Sequence, residues 1–549
     1  MSRFRAFALG PLLAVVLGIA GALAVAVALW QLVATTTGLT IERTQVGATP
    51  VTIYRQGGAP PAPVIVIAHG FAGSQQLMQP FAVTLARNGY VAVTFDFAGH
   101  GRNAEKLGGD ITKVSGTTIL LVEEVARVVA FAKGLPGGDG RIALLGHSMA
   151  SDIIVRAAQE NPEIAAVVAV SMFSPAVRSD SPKNLLVVVG DWERRLKEEA
   201  LRAVGLAVGG PVEAGVTYGS FSDGTARRAA FSPRVEHIAV LYSPASSREA
   251  LAWLDQVFAH KGSGYVDDRG AWIGLLILGI VLLAKPLAGL LPRVAATPQG
   301  AGLPWRRLWP VAVVPAIATP LLLWKAPTSF LPVLVGDYLA VHFGVYGLLT
   351  ALMLIAVRQG AVRGALQART RTPAETSEPV AGFRVPGLSP APPNDGGFHW
   401  SVRAVAAFGL AAALVTAYAI GALGGAIDGF VTSFVPVGPR WLLVLALAAG
   451  TVPYFLADEW ATRGPDTGRG AYAATKLLFL LSLAGAVALN LRALFFLILI
   501  VPVILAFFVV YGLFSRWTFG RTGHPWVGGL ANALAFAWAI AVTFPMLVR

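Results

Sequence analysis

A serine between two small residues follows a short apolar run in the first third of the sequence. The segment GHSMA, residues 146–150, comes directly after residues 141–145 and before a helical pattern that begins near Ser151. A nucleophilic serine on a sharp strand-to-helix turn needs small residues two positions before and after it, because the backbone approaches itself closely there. Gly146 meets this need, and Ala150 is the smallest departure from the usual second glycine. The pattern predicts that Ser148 is a catalytic nucleophile.

Two further motifs lie upstream, each after an apolar run. HGFAGS, residues 69–74, follows one such run, and DFAGHG, residues 96–101, follows the next. Together with GHSMA, they make residues 40–260, under half of the chain, resemble the α/β-hydrolase superfamily. The resemblance is greatest to the branch without a cap domain, which contains dienelactone-hydrolase-like and prolyl-oligopeptidase-like enzymes.

The resemblance assigns expected roles to both upstream motifs. HGFAGS looks like the oxyanion loop of the family, which implies that the backbone N–H groups of Phe71 and Met149 bind the developing oxyanion. Removal of one such donor typically lowers the rate about 10²–10³-fold. DFAGHG resembles the D-x-x-G-H-G turn of the family, and we interpret it as structural.

In this kind of site, the serine, the acid and the histidine are expected in that order along the chain. Two carboxylates are candidates for the acid. The segment GDWE, residues 190–193, follows the apolar run 185–189. The resemblance favours Glu193, because the acid in this family commonly lies three residues after the glycine. Asp191 remains the alternative, since aspartate is the more common residue type. Either carboxylate would orient an imidazole and stabilise its charged form.

His237 is the candidate general base among eight histidines. Three histidines lie inside motifs where the side chain is not expected to act as a base: His69, His100 and His147. Four others follow the last helix of the domain or lie in the apolar C-terminal half: His260, His342, His399 and His524. His237 precedes the predicted helix 246–258, where the resemblance places the base. The alternative is a partly buried structural histidine.

Residues 40–268 alternate apolar runs with helical patterns. Strands are expected at residues 51–54, 64–68, 91–95, 142–145, 167–170 and 185–189. Most of these runs are continuously apolar, which is typical of a parallel sheet covered by helices on both faces. We therefore predict a doubly wound, mostly parallel α/β-hydrolase sheet in a domain that spans residues 36–268.

The rest of the chain has the composition of a membrane protein. Only 13% of the 549 residues are charged, against about 25% in soluble domains. Residues 7–34 form an apolar run longer than the ~7–15 residues of a signal peptide, which predicts an uncleaved signal anchor over residues 1–35, with a cleaved signal peptide as the alternative. Eight further spans are expected in residues 269–549, at 271–291, 309–326, 332–357, 401–424, 440–457, 472–489, 492–514 and 526–547.

The distribution of basic residues predicts the orientation. With the N-terminus in the cytoplasm, the short inner segments hold 16 Lys and Arg, whereas the short outer segments, with the α/β-hydrolase domain left out, hold four. This asymmetry is expected from the positive-inside rule. It places the hydrolase domain outside the cytoplasm of an integral, multi-pass cell-membrane protein. Residues near 365–398, rich in Pro, Ser and Thr, are predicted to form a flexible cytoplasmic linker.

The charge of the chain does not indicate a nucleic-acid partner. The net charge of +13 belongs to the apolar half, because residues 35–268 hold 21 Lys and Arg against 22 Asp and Glu. The predicted hydrolase domain therefore has no basic excess to bind phosphates. The absence of cysteine excludes disulfides and thiolate nucleophiles. We expect no cofactor and no metal.

Two ionisable residues, Asp337 and His342, lie within one predicted span. Ionisable groups inside a membrane indicate function by default, so they suggest a proton or substrate path.

These patterns predict a membrane-embedded serine hydrolase of esters, thioesters or small amides, acting on a small-molecule or lipid-like acyl substrate near membrane lipid. One alternative is acyl transfer to an alcohol by the same triad. The other is a non-catalytic receptor domain coupled to a transporter-like membrane domain.

Overall fold

The computed structural model describes residues 2–111, 113–370 and 400–548, with side chains for residues 12–360 and 400–548 apart from residue 112. Nine strands form one sheet in the order β1-β2-β4-β3-β5-β6-β7-β9-β8. They are β1 Leu39–Val46, β2 Thr49–Gln56, β3 Ala62–Ala68, β4 Val91–Phe95, β5 Gly138–His147, β6 Ile164–Val170, β7 Leu185–Gly190, β8 Thr217–Tyr218 and β9 Arg227–Ser232. The six strands from β4 to β9 in this order are parallel.

Helices cover both faces of this sheet. They are α2 Gln79–Arg87, α3 Ile119–Lys133, α4 Met149–Glu160, α5 Arg194–Val208 and α6 Pro244–Phe258, with short 3₁₀ or π turns at Gln75–Met78, Val114–Thr118 and Ala239–Tyr242. Along β3, Val64 and Val66 enter the core under α3 and α4, whereas Ile65 and Ile67 enter the core under α2 and α6. Successive side chains of a strand point to opposite faces, so a buried parallel strand is apolar throughout. The predicted doubly wound α/β-hydrolase sheet is confirmed.

The remaining helices form an all-α region. They are α1 Ser2–Ala34, α7 Arg269–Ala288, α8 Trp305–Leu323, α9 Gly336–Thr370, α10 Val402–Ala417, a π turn Tyr418–Leu423, α11 Gly424–Phe430, α12 Arg440–Ala461, α13 Ala471–Leu489, α14 Leu491–Leu494, α15 Leu497–Thr522 and α16 Pro525–Thr543. Within the described residues, nine helices are long and apolar enough to cross a membrane, with α10 and α11 counted as one. We call residues 39–258 the α/β region, and α1 with residues 269–548 the membrane region.

Several elements differ from the sequence-based prediction. Strands β1, β8 and β9 were not expected, and the last predicted span ends at Thr543 instead of residue 547. Residues 544–548 leave the helix and contact loops of the α/β region. Helix α9 continues to Thr370, while most of the predicted linker, together with His399, lies outside the described residues.

Several segments at the ends of the membrane-region helices contact the α/β region. The Phe496 ring, before α15, stacks on Phe71 of the α/β region, and residues 428–435 and 544–548 also contact that region. Leu334, between α8 and α9, donates its N–H to Pro545 O at 3.0 Å. The predicted inner segments contact each other instead, as in the bond from Gly302 N to Arg463 O. The orientation of these segments across a membrane stays a prediction.

Polar contacts join the α/β region to the membrane region. Arg102 pairs with Asp428 at 2.7 Å, and Ser433 N donates to Ser74 Oγ at 2.9 Å. Arg440, fully buried, donates to Gly99 O at 2.6 Å and also to the carbonyls of Ala541 and Phe544 at the end of α16. Helix C-terminal carbonyls attract cations, which explains how a guanidinium is tolerated there.

We expect Arg440→Leu to lower the melting temperature of the detergent-solubilised chain by about 5 °C or more. Hydrogen bonds to a charged donor contribute about 1.5–3 kcal/mol each, and 1 kcal/mol corresponds to about 2–4 °C for a domain of 150–250 residues. Differential scanning fluorimetry measures the shift. The control is Arg516→Leu, because Arg516 is exposed and has no partner among the described residues. Equal melting temperatures for the two variants would contradict a joining role for Arg440.

Candidate active site

The carboxyl ends of the parallel strands bring the predicted motifs to one edge of the sheet. HGFAGS follows β3, DFAGHG follows β4, Ser148 follows β5, and GDWE includes the end of β7. Ligands and catalytic groups of open α/β sheets lie at this edge. The residues singled out from the sequence therefore come from separate strands but lie close together.

Ser148 occupies a strained turn between β5 and α4. Its φ of 53° and ψ of −116° lie outside the regions that non-glycine residues favour. A Cβ on Gly146 would lie 3.0 Å from Ala150 O and 2.9 Å from Ile154 Cδ1, so only glycine fits at that position. Ala150 is fully buried. The predicted need for small residues on both sides of the serine is met by these contacts.

His237 lies between Ser148 and Glu193. Its Nε2 is 2.8 Å from Ser148 Oγ, and its Nδ1 is 2.5 Å from Glu193 Oε1. A carboxylate only accepts hydrogen bonds, so Nδ1 carries a proton and Nε2 is free to accept the serine hydroxyl proton. The His237 side chain is 31% exposed and that of Glu193 is 6% exposed. The arrangement has the order of contacts of a serine nucleophile, a base and an orienting acid.

Glu193 is fixed by three groups. While Oε1 contacts His237, Oε2 accepts hydrogen bonds from Gly190 N and Ser171 Oγ, both at 2.7 Å. Asp191, the alternative acid, is turned away: its carboxylate accepts from Lys197 Nζ at 2.6 Å, and it is exposed. Of the two carboxylates, Glu193 is therefore the one that contacts the imidazole.

Ser171 was not identified from the sequence. It follows β6 directly, has a φ of 50°, and donates its hydroxyl to Glu193. A serine at the carboxyl end of a parallel strand is a weak signal by itself. Its contribution depends on Glu193 of the next strand, and only the strand order reveals that contact.

The two predicted oxyanion donors lie on turns beside Ser148. An ideal Cβ on Gly70 would be 3.1 Å from Ser148 Cβ, so the loop that carries Phe71 reaches the serine. Met149 begins α4. In residues 2–111, 113–370 and 400–548, neither the Phe71 nor the Met149 amide has an acceptor. Both N–H groups are therefore free to bind an oxyanion.

Three motif histidines support the loops. His69 Nε2 accepts from Phe97 N at 3.1 Å, and its Nδ1 therefore donates to Gly70 O at 2.8 Å. His147 contacts His237 O through Nε2 at 2.9 Å. Burial lowers the pKa of His147 to about 3 and that of His100 to about 3. Both are neutral at pH 7, so they do not repel a positively charged His237.

Asp96 of DFAGHG organises the neighbouring loop. Its carboxylate accepts from Gln75 N at 2.8 Å, from Gln75 Nε2 at 3.0 Å and from Arg102 N at 3.0 Å. A Cβ on Gly101, which has a φ of 51°, would lie 2.5 Å from Asp96 Cγ. These contacts agree with the structural role expected for the motif.

The two ionisable residues of α9 have local partners. Asp337 accepts from Phe330 N and Tyr338 N at 3.0 and 2.9 Å. The buried His342 lies within 3.3 Å of Tyr338 Oη and 3.2 Å of Ser482 Oγ. The proton or substrate path remains a prediction. No three His, Asp or Glu side chains are grouped as metal ligands in the described part of the chain.

We expect Gly190→Ala to slow reaction of Ser148 with an active-site probe by at least about tenfold. The new Cβ would lie 2.6 Å from Val235 O and 2.9 Å from Glu193 Oε2, which displaces the acid or the histidine loop, and a misplacement of about 1 Å costs up to ~10²-fold. The rate of labelling by a fluorophosphonate measures the effect. Gly210→Ala is the control, because nothing lies within 4 Å of its Cβ. Native reactivity in Gly190→Ala would show that the loop does not constrain Glu193.

Comparisons with known proteins agree with this architecture. The model of the family described as serine aminopeptidase, S33, matches residues 59–208. This segment contains Ser148 and Glu193 and ends before His237. No curated protein matches the sequence.

Solved structures also match part of the chain. One is a membrane phospholipase A described as a bacterial virulence factor, with 16% identity, a TM-score of 0.30, and coverage of 47% of this chain and 99% of that chain. Another is a dienelactone hydrolase from Anabaena variabilis, with 17% identity, a TM-score of 0.28, and coverage of 41% and 98%. The strand order and the family match identify an α/β-hydrolase fold, which the described residues join to nine helices that are long and apolar enough to cross a membrane.

Proposed function

We propose that the protein is a membrane-embedded serine hydrolase that cleaves esters, thioesters or small amides through Ser148, His237 and Glu193. The observation that carries this proposal is the position of His237, which contacts the serine hydroxyl with one ring nitrogen and a buried carboxylate with the other. The family name of the match over residues 59–208 supports amides as one class of substrate. Small-molecule and lipid-like acyl compounds both fit this chemistry.

The first half-reaction uses the three side chains in sequence. Ser148 Oγ attacks the acyl carbon while His237 Nε2 takes the hydroxyl proton, and Glu193 stabilises the resulting imidazolium. The carbonyl oxygen becomes an oxyanion that accepts from Phe71 N–H and Met149 N–H. The tetrahedral species then breaks the bond to the leaving group, which receives the proton from His237. An acyl ester on Ser148 remains.

The second half-reaction regenerates the serine. Water gives a proton to His237 Nε2 and attacks the acyl ester, and His237 returns that proton to Ser148 as the carboxylic acid leaves. This step needs no cofactor. Free acid as the only product, whatever alcohol is added, would separate hydrolysis from acyl transfer.

A fluorophosphonate probe tests the activated serine in membranes that contain the full chain. We expect Ser148→Ala to abolish labelling and His237→Ala to slow it by about 10³-fold or more, since removal of a triad member costs several orders of magnitude. Glu193→Gln should slow labelling by at least about tenfold, because it removes the charge that stabilises the imidazolium. Asp191→Asn is the matched control, and we expect a rate within about threefold of the native rate.

Two outcomes would contradict this proposal. If the native chain shows a cooperative melting transition and is still not labelled, the receptor hypothesis would be favoured. A larger effect from Asp191→Asn than from Glu193→Gln would mean that the acid is misassigned.

We further propose that the α/β region lies outside the cytoplasm, because the segments on its side of the membrane carry few basic residues. The chain has no cysteine, so one introduced thiol reports on one position. In sealed cells, an impermeant maleimide is expected to label Gly210→Cys, on an exposed loop of the α/β region. Asp466→Cys, in the exposed loop between α12 and α13, should react only after permeabilisation. The reverse pattern would invert the orientation.

A further inference from the structure

A cavity of about 680 Å³ lies between the histidine loop and the first turns of α7. One wall is formed by residues 233–235 and 239–248, on both sides of His237 in sequence. The other wall is formed by membrane-helix residues, among them Gly270, Ala271, Ile273 and Ile277. The cavity therefore lies where the α/β region meets the membrane surface, next to the loop that holds the proposed base.

The opening of this cavity carries two arginines without an acidic partner. Arg234 and Arg248 line it, and both are exposed. In the part of the chain that the structure describes, neither forms an ion pair. Three nearby carboxylates have other partners. Glu249 pairs with Arg228, and Asp267 pairs with Arg269. Glu236 accepts hydrogen bonds from the backbone amides of Ile238 and Ala239. The two guanidinium groups at the opening are therefore available to bind an anion.

The inner wall of the cavity is apolar and continuous with a membrane span. Ile273 and Ile277 lie one helical turn apart on α7, which is one of the nine candidate spans of the described residues. Val431 closes the wall from the segment that follows α11. Acyl chains pack against such a surface, whereas a free anion gains nothing from it.

A tyrosine adds to the lining of the cavity. Part of the Tyr242 side chain faces it, while the tyrosine hydroxyl is buried away from solvent. The cavity thus combines two cations with an apolar wall.

We propose that this cavity binds the phosphate headgroup of an anionic lipid from the leaflet next to the α/β region. Arg234 and Arg248 contact the phosphate, and one acyl chain lies along Ile273 and Ile277. Basic groups near a membrane surface attract anionic lipids, and the apolar wall favours a lipid over soluble phosphate. The site is separate from the triad, so it does not depend on the proposed hydrolase activity.

Native mass spectrometry of the full chain tests this site by titration with phosphatidylglycerol and phosphatidylcholine. We expect the native chain to retain one more phosphatidylglycerol than an Arg234→Gln, Arg248→Gln double variant, with affinity at that site lower by about tenfold or more in the variant. The matched control is Arg127→Gln, Arg178→Gln, which removes the same charge from exposed, unpaired positions of the α/β region. This control should bind like the native chain.

Two further measurements locate the site and identify the source of the anion. A phosphatidylglycerol with a photoreactive headgroup should crosslink to residues 233–248 in the native chain and not in the Arg234, Arg248 variant. Glycerol 3-phosphate, which lacks acyl chains, should not compete at equal concentration. Equal phosphatidylglycerol binding by both double variants would overturn the proposal, and so would full competition by glycerol 3-phosphate, which would indicate a soluble anion.

Discussion

The position of the α/β region on the membrane region depends on hydrogen bonds from the buried guanidinium of Arg440. It donates to Gly99 in the α/β region and to the last carbonyls of α16 in the membrane region. Burial of an isolated charge is costly, and here the partial negative charge of a helix C-terminus offsets that cost. Met546 N also donates to Gly99 O. One carbonyl on a loop after β4 therefore receives two donors from the membrane region, which fixes the orientation of the sheet.

At the site itself, one carboxylate has a similar joining role. Glu193 contacts the histidine loop after β9, the backbone at the end of β7, and the hydroxyl of Ser171 after β6. Three strand ends thus depend on a side chain that is 6% exposed. Because both oxygens are occupied, the carboxylate cannot rotate without losing a partner. The imidazole of His237 is therefore held in one tautomer and one direction before any substrate arrives, and such preorganisation lowers the cost of reaching the transition state.

The sequence predicted those parts that depend on local pattern. The buried strands, the GHSMA turn and the apolar helices all have a signal within about twenty residues. Strand β1 lacks that signal because its residues are mostly exposed. Strand β9 contains Arg227, which is 1% exposed, and a charged residue in a buried strand breaks the apolar pattern. The choice between Asp191 and Glu193 depends on which side chain points toward His237, and the sequence does not encode that direction locally. Contacts such as Arg102 with Asp428 join residues 326 positions apart, and no local pattern encodes them.

The number of membrane helices is larger than an anchor requires, since one span of about 20 residues suffices. The membrane region contacts the loops at the edge of the sheet that carries the candidate active site. The Phe71 ring stacks on Phe496, with centroids 4.2 Å apart, and Ser74 and Gln76 of the same loop contact Ser433. The loop that would supply one oxyanion donor is therefore held by membrane helices as well as by the sheet. The membrane region is thus part of the framework of the candidate site.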